Sequence, residues 1–556
     1  MESFCSTKSI FSGISKEYME NESFQKRYFT YNHKDSSAWQ ERANKVLEAS
    51  YNRQTLVEAL KHINTRLDAG PKTIENIEKL GSDKTLCVVT GQQTGVLGGP
   101  LYTLYKAATT IKKAKSLTEE IGSEVVPVFW LASEDHDFEE VRQAKYIENG
   151  KLRKSKVDKK PGTGNNNPFK TMHNHSYLKE PLGWVDINTS VKSLMIEVSH
   201  AMDDMTYRNW CEALFEETIH EDETLSDWFA RIYLKIFKKE GLIIIDPMNP
   251  QIRSLGTTFI KKALSGSQEI VDSVVRKGTK LMEEGFTPLI QPRPGATGLY
   301  YLERGERIPI IFEEGMYTVQ EGDAREAFCM DELLRIMDNH PEDFSTNVIL
   351  RPLIQDVYLP TVAYVAGPGE ASYYAQLKEV YEHFDMEMPI ILPRENFTVC
   401  QKSLNLKIES LEVKVDDILD RSQESLEKKI LMEKDTLDVD SLFQDFSNKF
   451  DDMYQDLIDQ LQQIDDDILP ITEKNQDLIH QQFDYLKQKS YRFHRRNHKD
   501  TLGDIKKIYN WVKPNGGLQE RTLSLLSVLG IAGPDFIDHI LHEIEYTSDH
   551  RIIIVD

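Results

Sequence analysis

The sequence predicts an α/β protein: a parallel sheet covered by helices, with an antiparallel α-helical coiled-coil hairpin toward the C-terminal end. Three observations predict it. Two unbroken apolar runs, Thr85 to Val89 and Val125 to Ala132, bracket a glycine turn and an amphipathic helix, which is the spacing of a βαβ unit. Further short apolar runs at Leu242 to Pro250, Tyr358 to Ala366 and Met388 to Asn396 supply more strands of that kind. From Ser403 onward, apolar residues recur at alternating spacings of four and three between charged flanks, the mark of a coiled coil.

Composition narrows the class. A chain of 556 residues holds roughly three or four domains of about 150 residues each. Hydrophobic residues make up 40% and charged residues 28%, as in soluble globular proteins. The net charge of −23 disfavours nucleic acid and leaves small molecules or proteins as partners. No apolar run approaches the ~20 residues that cross a bilayer, and the N-terminus lacks a secretory pattern. Five scattered cysteines with no C-x-x-C pair argue against disulfides and structural zinc, so a cytoplasmic location is expected.

In chain order, residues 1 to about 80 read as helices packing on a later core, with Gly70 and Pro71 as a break. The stretch TGQQTGVLGGPLYTLYK, Thr90 to Lys106, follows the first strand. Its glycines Gly91, Gly95, Gly98 and Gly99 allow a sharp turn and close approach of a ligand, and Pro100 opens a helix. A helix N-terminus favours anions, so this turn and Lys106 are candidate phosphate contacts. The loop is neither a Walker A nor a G-x-G-x-x-G sequence; Gln92 and Gln93 favour a binding role, because adjacent amides offer donors and acceptors that a packing turn does not need.

The second strand ends in SEDHD. Helix capping accounts for one or two of its acids but requires no histidine, so Glu134, Asp135, His136 and Asp137 are candidate catalytic groups; a carboxylate beside His136 would orient its ring. No metal is expected, the H-E-x-x-H spacing being absent. Residues 149 to 184 read as a polar loop, with His173 and His175 as solvated side chains. Thr287 to Val319 reads as antiparallel hairpins. In the Val348 to Lys378 stretch, Arg351, Gln355 and Asp356 are polar among apolar runs, and a second glycine turn, Gly367-Pro368-Gly369-Glu370, opens a helix running through Phe384. Arg394 follows the last strand and suits a phosphate or carboxylate. The coiled-coil arms span about 402–432 and 441–490, with Pro470 expected to kink or interrupt the second. The domains so read are 1–400, carrying insertions at about 149–240 and 287–320, then 401–492, and a helical return to the core over 493–556.

Taken together, TGQQTGVLGGPLYTLYK, VVPVFWLASEDHD, YVAGPGE, PIILPRE, the coiled coil and PNGGLQER closely resemble the BshC family, the cysteine ligases of bacillithiol biosynthesis. The resemblance runs along essentially the whole chain. It implies a Rossmann-like core related to class I aminoacyl-tRNA synthetases and nucleotidyltransferases, with connective insertions and dimerisation through the coiled coil. It implies joining of L-cysteine to the amine of glucosaminyl malate, with ATP, and Mg²⁺ alongside it, as the activating cofactor. On that reading Gln92, Gln93, Tyr102, Arg351, Gln355, Asp356 and Arg394 contact substrate, and Gly91, Gly95, Gly98, Gly99, Lys106, Gly367, Gly369 and Glu370 contact the nucleotide. The HIGH-like histidine and KMSKS-like loop of the synthetases are missing, so AMP- and ADP-forming routes both stay open. Two rival classes remain: a non-catalytic nucleotide-binding scaffold and a sugar nucleotidyltransferase.

Overall fold

A computed structural model describes the chain except residues 7–8, 10, 159–180, 221–222, 304–305, 322–323, 435–437 and 548. His173 and His175 lie outside the described residues. The chain divides into two units, Met1–Val399 with Gln519–Asp556, and Cys400–Leu518.

The first unit is built on five parallel strands: β1 (Leu86–Gln92), β2 (Val125–Leu131), β3 (Ile243–Ile245), β4 (Thr361–Ala366) and β5 (Ile390–Pro393). They lie in the order β5-β4-β1-β2-β3. All four neighbouring pairs are parallel, with Ala363 beside Val88, Val88 beside Pro127 and Val128 beside Ile243. The strand order is Rossmann-like: the chain winds one way from β1 to β3 and then returns to the far side of β1 with β4. The strands are buried except at Gln92, the half-buried last residue of β1, which is why they read as unbroken apolar runs. Helix α1 (Leu101–Ile121) makes the first crossover. One sheet face packs on the N-terminal helix Ser36–Glu48 through Trp39, Ala43 and Val46 against Leu86, Val88 and Val365. Phe229 and Tyr233 of the helix Leu225–Ile236 pack on Phe129, with ring centroids 5.9 and 5.5 Å away.

Several local expectations are revised. Residues Arg351–Tyr358 form a helix, α2, where a strand was expected to begin at Tyr358. Pro360 explains the boundary: it forces Leu359 into extended backbone and ends the helix one residue earlier. The helix after Gly367 is two helices, α3 (Pro368–Tyr374) and Lys378–His383. Residues Lys151–Lys156, expected in a loop, pair antiparallel with Gln143–Glu148. The expected hairpins grow into a five-stranded antiparallel sheet running from Ala296 to Thr346.

In the second unit the antiparallel pair is α4 (Val439–Gln462) and α5 (Leu469–Asn497). Phe450 meets Phe483 at 5.3 Å, and the Tyr454 hydroxyl donates to Asn475 Oδ1 at 2.8 Å. The stretch expected as the first arm is instead three shorter helices, Lys402–Ser410, Val415–Asp420 and Gln423–Lys434. The expected second arm is interrupted between Gln462 and Leu469, and Pro470 sits in the first turn of α5, where a missing N–H costs nothing, rather than kinking a continuous helix.

Candidate active site

The carboxyl ends of β1 and β4 are neighbours, and the connections leaving them run in opposite directions. That is the switch point at which open α/β sheets leave a crevice. A cavity of about 320 Å³ lies there. Gly91, Gln92 and Gln93 line it from the end of β1, Asp135 from beyond β2, Gly367, Gly369 and Glu370 from the turn after β4, and Arg394 from beyond β5. Tyr102, Lys106, Arg351 and Gln355 complete the predicted residues on its wall.

Lys106 is the brace of this site. It is 1% exposed, and its Nζ donates to Glu370 Oε2 at 2.6 Å, to Gln92 Oε1 at 3.3 Å and to the Gly91 carbonyl. Burial pulls its pKa down, while Glu370 favours the charged form. Glu370 also accepts from the Tyr364 hydroxyl at 2.8 Å and the Gly367 N–H at 2.7 Å, so it closes the first turn of α3. The ion pair thus ties the end of β1 to the end of β4. All three ammonium protons are taken within the protein, which leaves Lys106 as a structural and electrostatic element rather than a free phosphate contact.

Asp135 is held by Gln93, whose Nε2 donates at 2.7 Å, and by the backbone N–H of His136, also at 2.7 Å. Burial acts to raise its pKa, but the Gln93 hydrogen bond and the charges of Arg307 and Arg351 hold it below the usual carboxylate range. Arg351 faces the same space. Against the lowering effect of burial, Tyr373, Tyr364 and Asp135 keep it above the ordinary arginine value. No ion pair among the described residues includes it.

The remaining charges are already paired. Arg394 makes a bidentate contact with Glu520, Nη1 to Oε2 at 2.9 Å and Nη2 to Oε1 at 2.6 Å. Its side chain is 2% exposed and that of Glu520 0%. The glycine turn departs most from expectation. The Leu101 N–H, at the start of α1, donates to the Leu523 carbonyl at 3.1 Å, and the Gly95 and Gly99 N–H groups bond within the turn. Gly98 has φ +78°, and a Cβ there would stand 2.7 Å from Leu525 Cδ2. Gly98 therefore packs against the C-terminal segment and does not face the cavity. Gly95 and Gly99 border a second, smaller cavity.

Across the chain, two family descriptions match: "Bacillithiol biosynthesis BshC, N-terminal Rossmann-like domain" over residues 1–395 and "Bacillithiol biosynthesis BshC, C-terminal coiled-coil domain" over residues 397–555. The chain belongs to the BshC family. A protein of Natranaerobius thermophilus named "Putative cysteine ligase BshC" is 30% identical over 520 residues, covering 92% of this chain and 92% of that protein. A namesake from Bacillus cereus is 27% identical over 544 residues, covering 97% and 98%. A solved structure titled "putative arginyl t-RNA synthetase" from Campylobacter jejuni aligns at 10% identity over 89% of this chain and 99% of that one; its TM-score of 0.20 is too low to bear on the fold.

In this BshC-family chain the acidic motif divides. Asp135 lines the cavity, and three of its neighbours do not. Glu134 is buried against Arg253, 3.2 Å away, and burial raises its pKa. Asp137 accepts from the Glu140 N–H at 3.2 Å and caps a four-residue helix, the capping role weighed from sequence. The His136 ring lies toward Tyr300 of the antiparallel sheet, 6.5 Å between centroids. Asp356 is buried behind the cavity, bonded to the Tyr381 hydroxyl at 2.9 Å. It alternates away from Gln355 because adjacent helical residues do not share a face. Sequence reasoning missed Tyr364, Tyr373, Glu140 and Arg521 on the cavity wall. Arg521 had a signal, since PNGGLQER stands out as a motif, but nothing local tied it to β1. Among the described residues, no group of three or more His, Cys, Asp or Glu side chains is placed to hold a metal, and no helix is long and apolar enough to cross a membrane.

Proposed function

We propose that this chain joins the carboxyl group of L-cysteine to the amine of glucosaminyl malate, the last step of bacillithiol biosynthesis, with ATP supplying the activation. Membership of the BshC family and the name of its relatives support the reaction class. The observation that carries the reading is a switch-point cavity whose wall holds a carboxylate kept ionised, Asp135, opposite a cation without an ion-pair partner, Arg351. Amide formation from a free carboxylate is uphill in water, so the acyl group must be activated and the developing negative charge met by fixed cations and donors. Asp135 suits the ammonium of cysteine, and Arg351 its carboxylate or a phosphate oxygen. ATP, when bound, would supply phosphoryl or adenylyl activation, with Mg²⁺ carried on its phosphates. The fit is partial: the Gly95 and Gly99 N–H groups bond within the turn and the Leu101 N–H bonds to Leu523, so Arg351 is the side chain left to meet phosphate.

Reconstitution with ATP, cysteine and glucosaminyl malate tests this, with mass spectrometry of thiol and nucleotide products. The expected result is bacillithiol with stoichiometric AMP or ADP, lost in Asp135→Asn and Arg351→Ala variants that remain folded. ATP binding with no product would instead favour a nucleotide-sensing scaffold. The reading extends to a cytosolic homodimer assembled through the coiled coil. The five free cysteines suit a reducing compartment. Phe446, Met453 and Leu457 on α4, and Ile471, Leu478 and Tyr485 on α5, are 45–76% exposed along with Ile464 between them, a surface that a second copy would bury.

A further inference from the structure

The smaller cavity, about 190 Å³, adjoins the larger one. The two share a wall of Gln92, Gln93, Tyr102, Glu140 and Arg521. Beyond that wall the smaller cavity runs between the glycine turn and the strand carrying Gln143 and Lys145. Its charges differ in kind from those described above. Lys106 and Arg394 are paired with acids, whereas Lys145, Arg521 and Glu140 enter no ion pair among the described residues. The two cations are held near each other by the backbone, since the Ser524 N–H donates to the Lys145 carbonyl at 2.9 Å. Gln143 adds a buried amide oxygen with no donor among the described residues. Amides, a phenol and two separate cations suit a hydroxylated ligand with carboxylates. They suit a polyphosphate less well, because the Gly95 and Gly99 N–H groups bond within the turn and the Leu101 N–H bonds to Leu523.

We infer that the smaller cavity is the acceptor subsite. It takes an amino sugar bearing a dicarboxylic acid, with Lys145 and Arg521 on the carboxylates and Glu140 facing the ammonium. The inference rests on the ligase reading and deepens it. Glu140 is the one carboxylate common to both cavities, so it stands where the amine must meet the activated acyl group. The acceptor ammonium gives a proton to Glu140. The freed amine attacks the acyl carbon, the C–N bond forms, and the bond to the leaving oxygen breaks with its electron pair. The nitrogen then loses its second proton to water.

The test is calorimetric titration of the full-length protein with glucosaminyl malate and with methyl glucosaminide, which lacks the carboxylates. Lys145→Ala and Arg521→Ala should each weaken glucosaminyl malate about tenfold or more, and leave methyl glucosaminide unchanged. Glu140→Gln should lower kcat by a larger factor than it raises KM for glucosaminyl malate, with partial recovery of kcat in Glu140→Asp. Wild-type binding of glucosaminyl malate retained in both cation variants overturns the subsite. If the protein consumes ATP and cysteine but does not bind glucosaminyl malate, the subsite fails while cysteine activation stands. If it binds glucosaminyl malate through Lys145 and Arg521 but turns nothing over, the subsite holds and the ligase reading fails.

Discussion

Arg394 and Glu520 stand 126 residues apart in sequence and form the most completely buried ion pair of the site. Glu520 is 0% exposed and its neighbour Arg521 reaches both cavities, so the pair anchors the segment that presents Arg521. Removing one partner of a buried pair leaves a bare charge and costs about 3–5 kcal/mol. The two single variants should differ. In Glu520→Leu, Arg394 keeps Asn396 Oδ1 at 2.6 Å and the Glu395 carbonyl at 3.1 Å, which places the cost near the lower end, about 3 kcal/mol. In Arg394→Met, Glu520 loses both of its charge-assisted bonds, and the cost should approach about 5 kcal/mol. The double variant, with no buried charge left, should be more stable than Arg394→Met alone. Urea unfolding of the four proteins at matched m-values measures the cycle. Single losses below about 1 kcal/mol, or a double variant equal to the sum of the singles, would refute the claim that burial makes this pair interdependent.

Other outcomes are expected. Burial pushes Asp356 up to about 7, with Arg42 opposing only in part. From about pH 4 to 7 the folded chain therefore keeps a proton that the unfolded chain has released. Stability from this group falls as pH rises through that window, by about 1.4 kcal/mol per pH unit. Asp356→Asn should flatten the pH dependence of the urea midpoint; an unchanged slope would count against it. A Cβ at Gly95 would stand 2.8 Å from Gly99 Cα, backbone against backbone, so Gly95→Ala should cost about 1–3 kcal/mol and weaken acceptor binding more than Gly369→Ala, where a Cβ meets nothing. If the proposed homodimer forms through the coiled coil, Phe446→Glu with Met453→Glu should leave the fold intact by circular dichroism and give a monomer in sedimentation; a mass unchanged from wild type would remove the coiled coil as the proposed contact.

Much of the scaffold was legible because burial leaves a local imprint. Unbroken apolar runs marked β1, β2 and β4, and the glycine turn and Pro100 marked the start of α1. Heptad spacing marked a coiled coil, but α4 and α5 pair within the stretch expected as its second arm, and 402–434 breaks into three helices. Boundaries failed where one residue decided the backbone, as Pro360 did.

The candidate site was legible in outline and not in its charges. Gln93, Asp135, Arg351 and the Gly367 turn meet at one cavity, as their places after successive strands imply. Glu134, His136, Asp137 and Asp356 do not line it. A side chain's periodicity reports whether its own element is buried, and sequence alone carries that. Whether a lysine is spent on a glutamate 264 residues away, or an arginine is left free to meet a ligand, depends on partners that only the packed chain brings within hydrogen-bond reach. Lys106 lost its expected role as a phosphate contact, and Arg521 was missed, for that reason.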